Sequence, residues 1–167
     1  DGASGVGVLL EIARLVGERL PNIGIDIIFF DAEDYGQPYF YEGPENEDSW
    51  ALGTQYWAAR PHRPGYRARY GILLDMVGGK DAIFAREGFS QRYASGVNDK
   101  VWSAAQRLGY GKYFVNTEGG YITDDHVYVN RMGIPSIDII QYDPNTETGF
   151  CKQWHTLDDT MDFIDKE

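Results

Sequence analysis

The chain has 167 residues, is 43% hydrophobic, and carries 26 acidic against 15 basic residues for a formal charge of −11. That length supports one compact domain with a real core and not two ordinary ones, and the charge sets the chain against phosphate backbones, so no nucleic acid is expected as a partner. The single cysteine, Cys151, excludes an internal disulfide and a thiolate-rich metal site, and no apolar run is long enough for a membrane span.

In chain order, Leu9, Ile12, Ala13, Val16 and Leu20 recur at helical spacing and predict an amphipathic helix over residues 6–20, stopped by Pro21 and Asn22. Residues 23–30 form a β-branched, nearly continuous apolar run, the pattern of a strand buried on both faces, and the run ends in Asp31, Ala32, Glu33 and Asp34. A loop rich in Tyr, Pro, Gly and Glu leads to Asp48 or Ser49, which caps a predicted helix reaching about Ala59. A second buried strand is predicted over residues 68–76 and carries Asp75 near its end. Val97, Val101, Trp102, Ala105 and Leu108 mark another helix. Gly119 and Gly120 break the chain ahead of Asp124, Asp125 and His126, and a short helix to Met132 closes at Gly133 and Pro135. Residues 136–140 read as a third buried strand, and the loop beyond delivers Trp154 and His155 before a helical start near Asp159.

Strands alternating with helices predict a mainly parallel sheet covered on both faces, a three-layer α/β/α sandwich. Ligands bind such sheets at the carboxyl ends of the strands, where Glu33, Asp34 and Asp75 fall. Three clear strands are few for this architecture. The expectation is therefore one catalytic domain over residues 1–167 that lacks upstream strands and a C-terminal helix.

Taken singly, these polar residues have plain structural explanations: Asp1 as a helix cap, Glu33 and Asp34 as solvated strand-end charges, His155 as a loop histidine. Together they ask for more, because two adjacent carboxylates after an apolar run repel each other unless something compensates, most commonly a bound cation. A catalytic zinc takes about three oxygen or nitrogen donors and leaves one position open. Asp1, Asp34 and His155 could supply them. Adjacent strand-end residues point in different directions, so Asp34 could face a metal while Glu33 faces the open position as a proton carrier.

Five segments carry a resemblance. Asp1-Gly2-Ala3-Ser4-Gly5, Phe29-Phe30-Asp31-Ala32-Glu33-Asp34 and Leu73-Leu74-Asp75-Met76-Val77-Gly78 resemble the metal-binding helix start, the paired-acid strand end and the next strand of the zinc aminopeptidase superfamily. Asp124-Asp125-His126, followed by Arg131-Met132-Gly133-Ile134-Pro135, and Trp154-His155-Thr156 with Asp158 and Asp159, resemble its glutaminyl cyclase branch in particular. The resemblance implies a zinc-exopeptidase-like fold and one zinc per chain. It also implies a reaction in which an amino-terminal glutamine of a peptide or protein closes to pyroglutamate and releases ammonia. In that reaction Glu33 carries the proton, Asp124, hydrogen-bonded toward Asp75, holds the leaving nitrogen and the substrate amine, and Trp154, Thr123 and Asp138 border the substrate. Two positions depart from the branch: Asp34 stands where its members usually have a glutamate, and Asp138 where animal cyclases have a histidine. His126 is expected to be structural. An extracytoplasmic location, periplasmic or secreted, is also expected.

Two alternatives stay open. A two-zinc aminopeptidase would use Asp1 as a bridge between metals and Asp75 as a ligand of the second. A non-catalytic protein-recognition domain would have no physical reason to keep Glu33 beside a metal-ligand set.

Overall fold

The computed structural model of the chain describes residues 2–37, 40–44 and 46–165. Helix α1 covers Gly2–Glu18, with Leu9, Ile12 and Val16 half-buried as their spacing predicts. Gly5 is its one buried residue, and a Cβ there would lie 2.1 Å from the Leu74 carbonyl oxygen, so only glycine allows the helix this close to the sheet.

The prediction for residues 23–30 is corrected. The segment pairs with no strand among the described residues, and Ile23, Ile25 and Phe29 are about half exposed. An apolar run becomes a buried strand only when neighbours cover its edges and faces. Here it is held by a few side-chain contacts, including Phe30 edge-on to Trp57 at 5.6 Å and the Tyr66 hydroxyl donating to Asp26 at 2.9 Å. A 3-10 turn at Glu33–Tyr35 follows, then helix α2 at Leu52–Ala59.

Strand β1, Gly71–Asp75, pairs in parallel with β4, Ser136–Ile140, placing Leu73 opposite Asp138 and Asp75 opposite Ile140. Every residue of β4 is buried, as expected of a central strand. A second parallel pair was not legible in the sequence: β2, Phe84–Arg86, with β3, Phe114–Glu118. Between them runs helix α3, Gly88–Arg107, whose Val97 and Trp102 pack with Phe84, Ile137 and Ile139 in the main core. Helix α4, Asp125–Arg131, lies just ahead of β4. Near Asp159 the chain forms turns and not the expected helix. Helices alternating with parallel strands give the α/β organisation that the sequence predicts. Among the described residues no helix is long and apolar enough to cross a membrane.

Candidate active site at the strand ends

Where residues 23–30 and β1 end, a cleft of about 360 Å³ opens, bordered by Ile28, Phe30 and Leu74 on its apolar side and by Glu33, Asp34, Asp75, Asp124 and Asp125 on its polar side. The backbone that carries the paired acids is pinned by α2. The amides of Ala51, Leu52 and Gly53 donate to the carbonyls of Glu33, Ala32 and Asp31 at 2.9–3.1 Å, which satisfies donors at the helix start and fixes the acidic turn. Gly53 is required there, because a Cβ would meet the Asp31 carbonyl oxygen at 2.3 Å.

Three non-glycine residues with positive φ sit at the site: Ala32 (51°) before Glu33, Met76 (47°) after Asp75, and His155 itself (55°). Each such conformation costs about 1–3 kcal/mol and is kept where surrounding structure dictates it, most often around functional groups.

The structure brings Asp34 and His155 together, with His155 Nε2 at 3.0 Å from Asp34 Oδ1. The imidazole lies between two indoles, stacked on Trp154 at 4.0 Å and facing Trp50 at 6.5 Å. This donor chemistry, one imidazole nitrogen and one carboxylate oxygen within 3.0 Å, fits zinc, whose ligands at about 2.0–2.2 Å necessarily crowd to such separations. The third expected donor, Asp1, lies outside the described residues, and among the described residues no three His, Cys, Asp or Glu side chains converge as a metal cluster.

The carboxylates of the cleft interact strongly. Burial raises the Glu33 carboxyl to about 8, with the charges of Asp34, Asp75 and Asp125 adding in the same direction. Burial likewise lifts Asp75 to about 6, against the lowering effect of the Met76 amide. Asp124 is pushed well above the ordinary range, first by burial and next by the charge of Asp75. Burial is the first cause at all three, and each of these carboxyls keeps its proton to a higher pH than an exposed one. Asp124 also caps α4, accepting from the Asp125 amide at 2.5 Å, and Asp125 accepts from Thr54 Oγ1 at 2.5 Å.

Two expectations need correction. Asp138 has no exposed surface and does not border the cleft; burial first and then the charge of Asp124 raise its carboxyl well above the ordinary range. Trp154 borders not this cleft but a smaller neighbouring cavity with Ser4, Met76 and Cys151, and it reaches the site through its stacking on His155. Thr123 is half-buried in the loop leading to Asp124. One residue was missed altogether, Glu87, a buried carboxylate behind Asp124 that no recognisable motif announces.

The model of peptidase family M28 matches residues 1–167, the whole chain. The chain belongs to peptidase family M28. Among solved M28-like structures it is similar to Bacteroides thetaiotaomicron glutaminyl cyclase bound to N-acetylhistamine, with 59% identity, a TM-score of 0.96, and 99% of this chain and 56% of that chain covered. It is equally similar to a Zn-dependent exopeptidase from Parabacteroides distasonis, with 62% identity, a TM-score of 0.96 and the same coverage of 99% and 56%. Aminopeptidase YwaD of Bacillus subtilis is 30% identical over all of this chain and 33% of its own length. The chain thus spans about half the length of the solved relatives.

Proposed function

We propose that this chain carries the catalytic centre of a zinc-dependent glutaminyl-peptide cyclotransferase, acting on the amino terminus of peptides or proteins. The observation that supports it most is the placement of Glu33, with its raised carboxyl, in a cleft directly beside the Asp34–His155 pair. Asp34 and His155, with Asp1, would hold one zinc, which when bound supplies a Lewis acid for the substrate's side-chain amide carbonyl.

The residues of the chain then divide the remaining work. Glu33 removes a proton from the α-amine as its nitrogen forms a bond to the side-chain amide carbon. It returns that proton to the side-chain nitrogen as the old C–N bond breaks, so that pyroglutamate and ammonia leave in balance. A carboxyl buried enough to be raised toward the working pH suits both halves of that task, and a cation held by Asp34 and His155 would lower Glu33 from its value of about 8. Asp124, on the polar side of the cleft with Asp75, holds the leaving nitrogen and the substrate amine. The apolar side of the cleft limits water, which would otherwise compete with the amine.

Family membership and the 30% identical aminopeptidase favour a second reading, hydrolysis of peptides from the amino terminus. The test is incubation of the full-length zinc-loaded protein with a glutamine-initiated peptide and an aminoacyl reporter, following ammonia and free amino acid together. Ammonia without free amino acid is the expected result. Free amino acid without ammonia would overturn the cyclase reading.

A further inference from the structure

Behind the cleft, one carboxylate gathers bonds from several elements. Glu87 is 1% exposed and caps α3 by accepting from the amides of Phe89 at 2.8 Å and Ser90 at 2.6 Å, and from the Ser90 hydroxyl at 2.6 Å. A helix cap would need no more. Yet Glu87 Oε1 also accepts from the Ile122 amide at 3.0 Å, and Glu87 Oε2 from His126 Nε2 at 3.0 Å. The ring nitrogen is the donor, because an ionised carboxylate has no proton to give.

Ile122 lies two residues before Asp124, and His126 two residues after it. We propose that Glu87 is the positioning residue of Asp124, a single buried carboxylate from another element that tethers the Asp124 segment on both sides. This rests on the reading of Asp124 as a residue that touches the substrate. Glu87 itself cannot do so, having essentially no accessible surface.

Local structure makes such a tether necessary. Helix α4 has seven residues, too few to hold its own first turn, and the loop before it follows the break at Gly119 and Gly120. Asp124 points its side chain back to cap that helix, so its position is only as fixed as the segments on either side. A third connection strengthens the arrangement: Ser90 Oγ, which donates to Glu87, accepts from the Asp138 amide at 2.9 Å and so ties the carboxylate to the central strand β4. The negative charge is sustained there. Burial works against it, but the His126, Ser90 and Phe89 donors outweigh burial and hold the carboxyl below its ordinary range. Inside a low-dielectric pocket each of these charge-assisted bonds is stronger than it would be at the surface.

The test is Glu87→Gln in the full-length protein, which keeps the volume but turns one acceptor oxygen into a donor facing other donors. Two readouts are taken: hydrogen–deuterium exchange of residues 120–127, and steady-state kinetics on a glutamine-initiated peptide. Exchange in that segment should accelerate about tenfold or more, and kcat should fall about 10- to 100-fold with KM within about twofold, the signature of a misplaced group and not of lost binding. Unchanged exchange, unchanged kcat, or a loss confined to KM would overturn the proposal. If Glu87→Gln does not fold, His126→Leu, which has no donor, carries the test by cutting one tether and leaving that of Ile122. It should lower kcat at least about threefold at constant KM, and native kcat would overturn the proposal. A wild-type protein that releases no ammonia would sink the cyclase reading alone, and the exchange measurement would still decide whether Glu87 holds the Asp124 segment.

Discussion

Glu87 and Asp138 are both essentially without exposed surface, the Ser90 hydroxyl donates to the Glu87 carboxylate and accepts from the Asp138 main-chain amide, and the two side chains stand in opposite electrical conditions. Glu87 takes two backbone amides, a hydroxyl, a third amide from the 122 loop and an imidazole, and is held ionised. Asp138 has no partner for either side-chain oxygen among the described residues; burial first, and then the charges of Asp124, Asp75 and Glu87, push it well above the carboxylate range. Burial is common to both. What separates them is the supply of donors, and the cleft side of the molecule, with Glu33, Asp75 and Asp124, follows Asp138. The structure therefore lowers the carboxyl of one buried acid, Glu87, and raises those of Asp138 and of the acids along the cleft.

The sharpest way to break that division is at Glu33. If the raised acids do the chemistry, Glu33→Gln should retain bound zinc by elemental analysis and lose about 10²- to 10⁴-fold in kcat, because it removes the proton carrier and keeps the shape. Near-native turnover would take Glu33 out of the mechanism. On the metal side of the cleft, His155→Ala deletes a donor that sits 3.0 Å from Asp34, and zinc affinity measured by competition with a chelator should weaken by at least about 100-fold. Full zinc content at low free metal would show that His155 serves only as a stacking partner for the two tryptophans.

The same contrast predicts stabilities that differ in sign between the two buried acids. Glu87→Ala strands several buried donors and an imidazole and should cost about 3–5 kcal/mol in urea unfolding of the full-length protein. Asp138→Asn removes an acid that burial and neighbouring charges raise well above the ordinary range and that has no hydrogen-bond partner among the described residues, so at pH 7.5 it should be within about 1 kcal/mol of native or stabilising. Equal losses from both changes would mean that Asp138 has donors of its own and that the contrast is not real.

Much of this was legible in the sequence, and the parts that were not share a cause. The helix at the start and the buried strand at residues 136–140 follow from periodicity, and Asp75 at the end of β1 from the rule that such sheets bind ligands at carboxyl ends, whereas Glu33 and Asp34 follow an apolar run that forms no strand among the described residues. Asp34 and His155, 121 residues apart, were paired only through chemistry, and the structure brings them to 3.0 Å. The apolar spacing marks helix α3 only from Val97, whereas the helix begins at Gly88 and is kinked at Ala94, at φ −140° and ψ 36°. Residues 23–30 have the composition of a buried strand, but pairing is a property of neighbours and not of the run itself. Glu87 was invisible for a similar reason. Arg86-Glu87-Gly88 reads as an ordinary charged turn, Glu is an uncommon cap, and its further partners at 122 and 126 are about 35 residues away.

The pH dependence sharpens the comparison by titrating the raised acids together. Glu33 moves from 4.5 to about 8 on folding and Asp75 from 3.8 to about 6, so between the unfolded and folded values the native state holds protons that the unfolded chain has released. Unfolding then releases protons, and stability must fall as pH rises: it is fully present below about pH 4 for these two groups and is lost progressively through pH 6 and then 8. Asp124 and Asp138, raised further, add to the decline in the same sense. Glu87, lowered on folding, opposes it only at the acid end, where its stabilising charge is lost as pH drops. The urea midpoint of the chelator-treated full-length protein should therefore decrease from pH 5 to pH 8, Glu33→Gln should flatten the portion above about pH 6, and added zinc should oppose the decline by favouring the ionised carboxylates around it. A midpoint that rises with pH over that range would mean that the cleft acids are ionised without a cation, and the distinction between Glu87 and the raised acids would have to be abandoned.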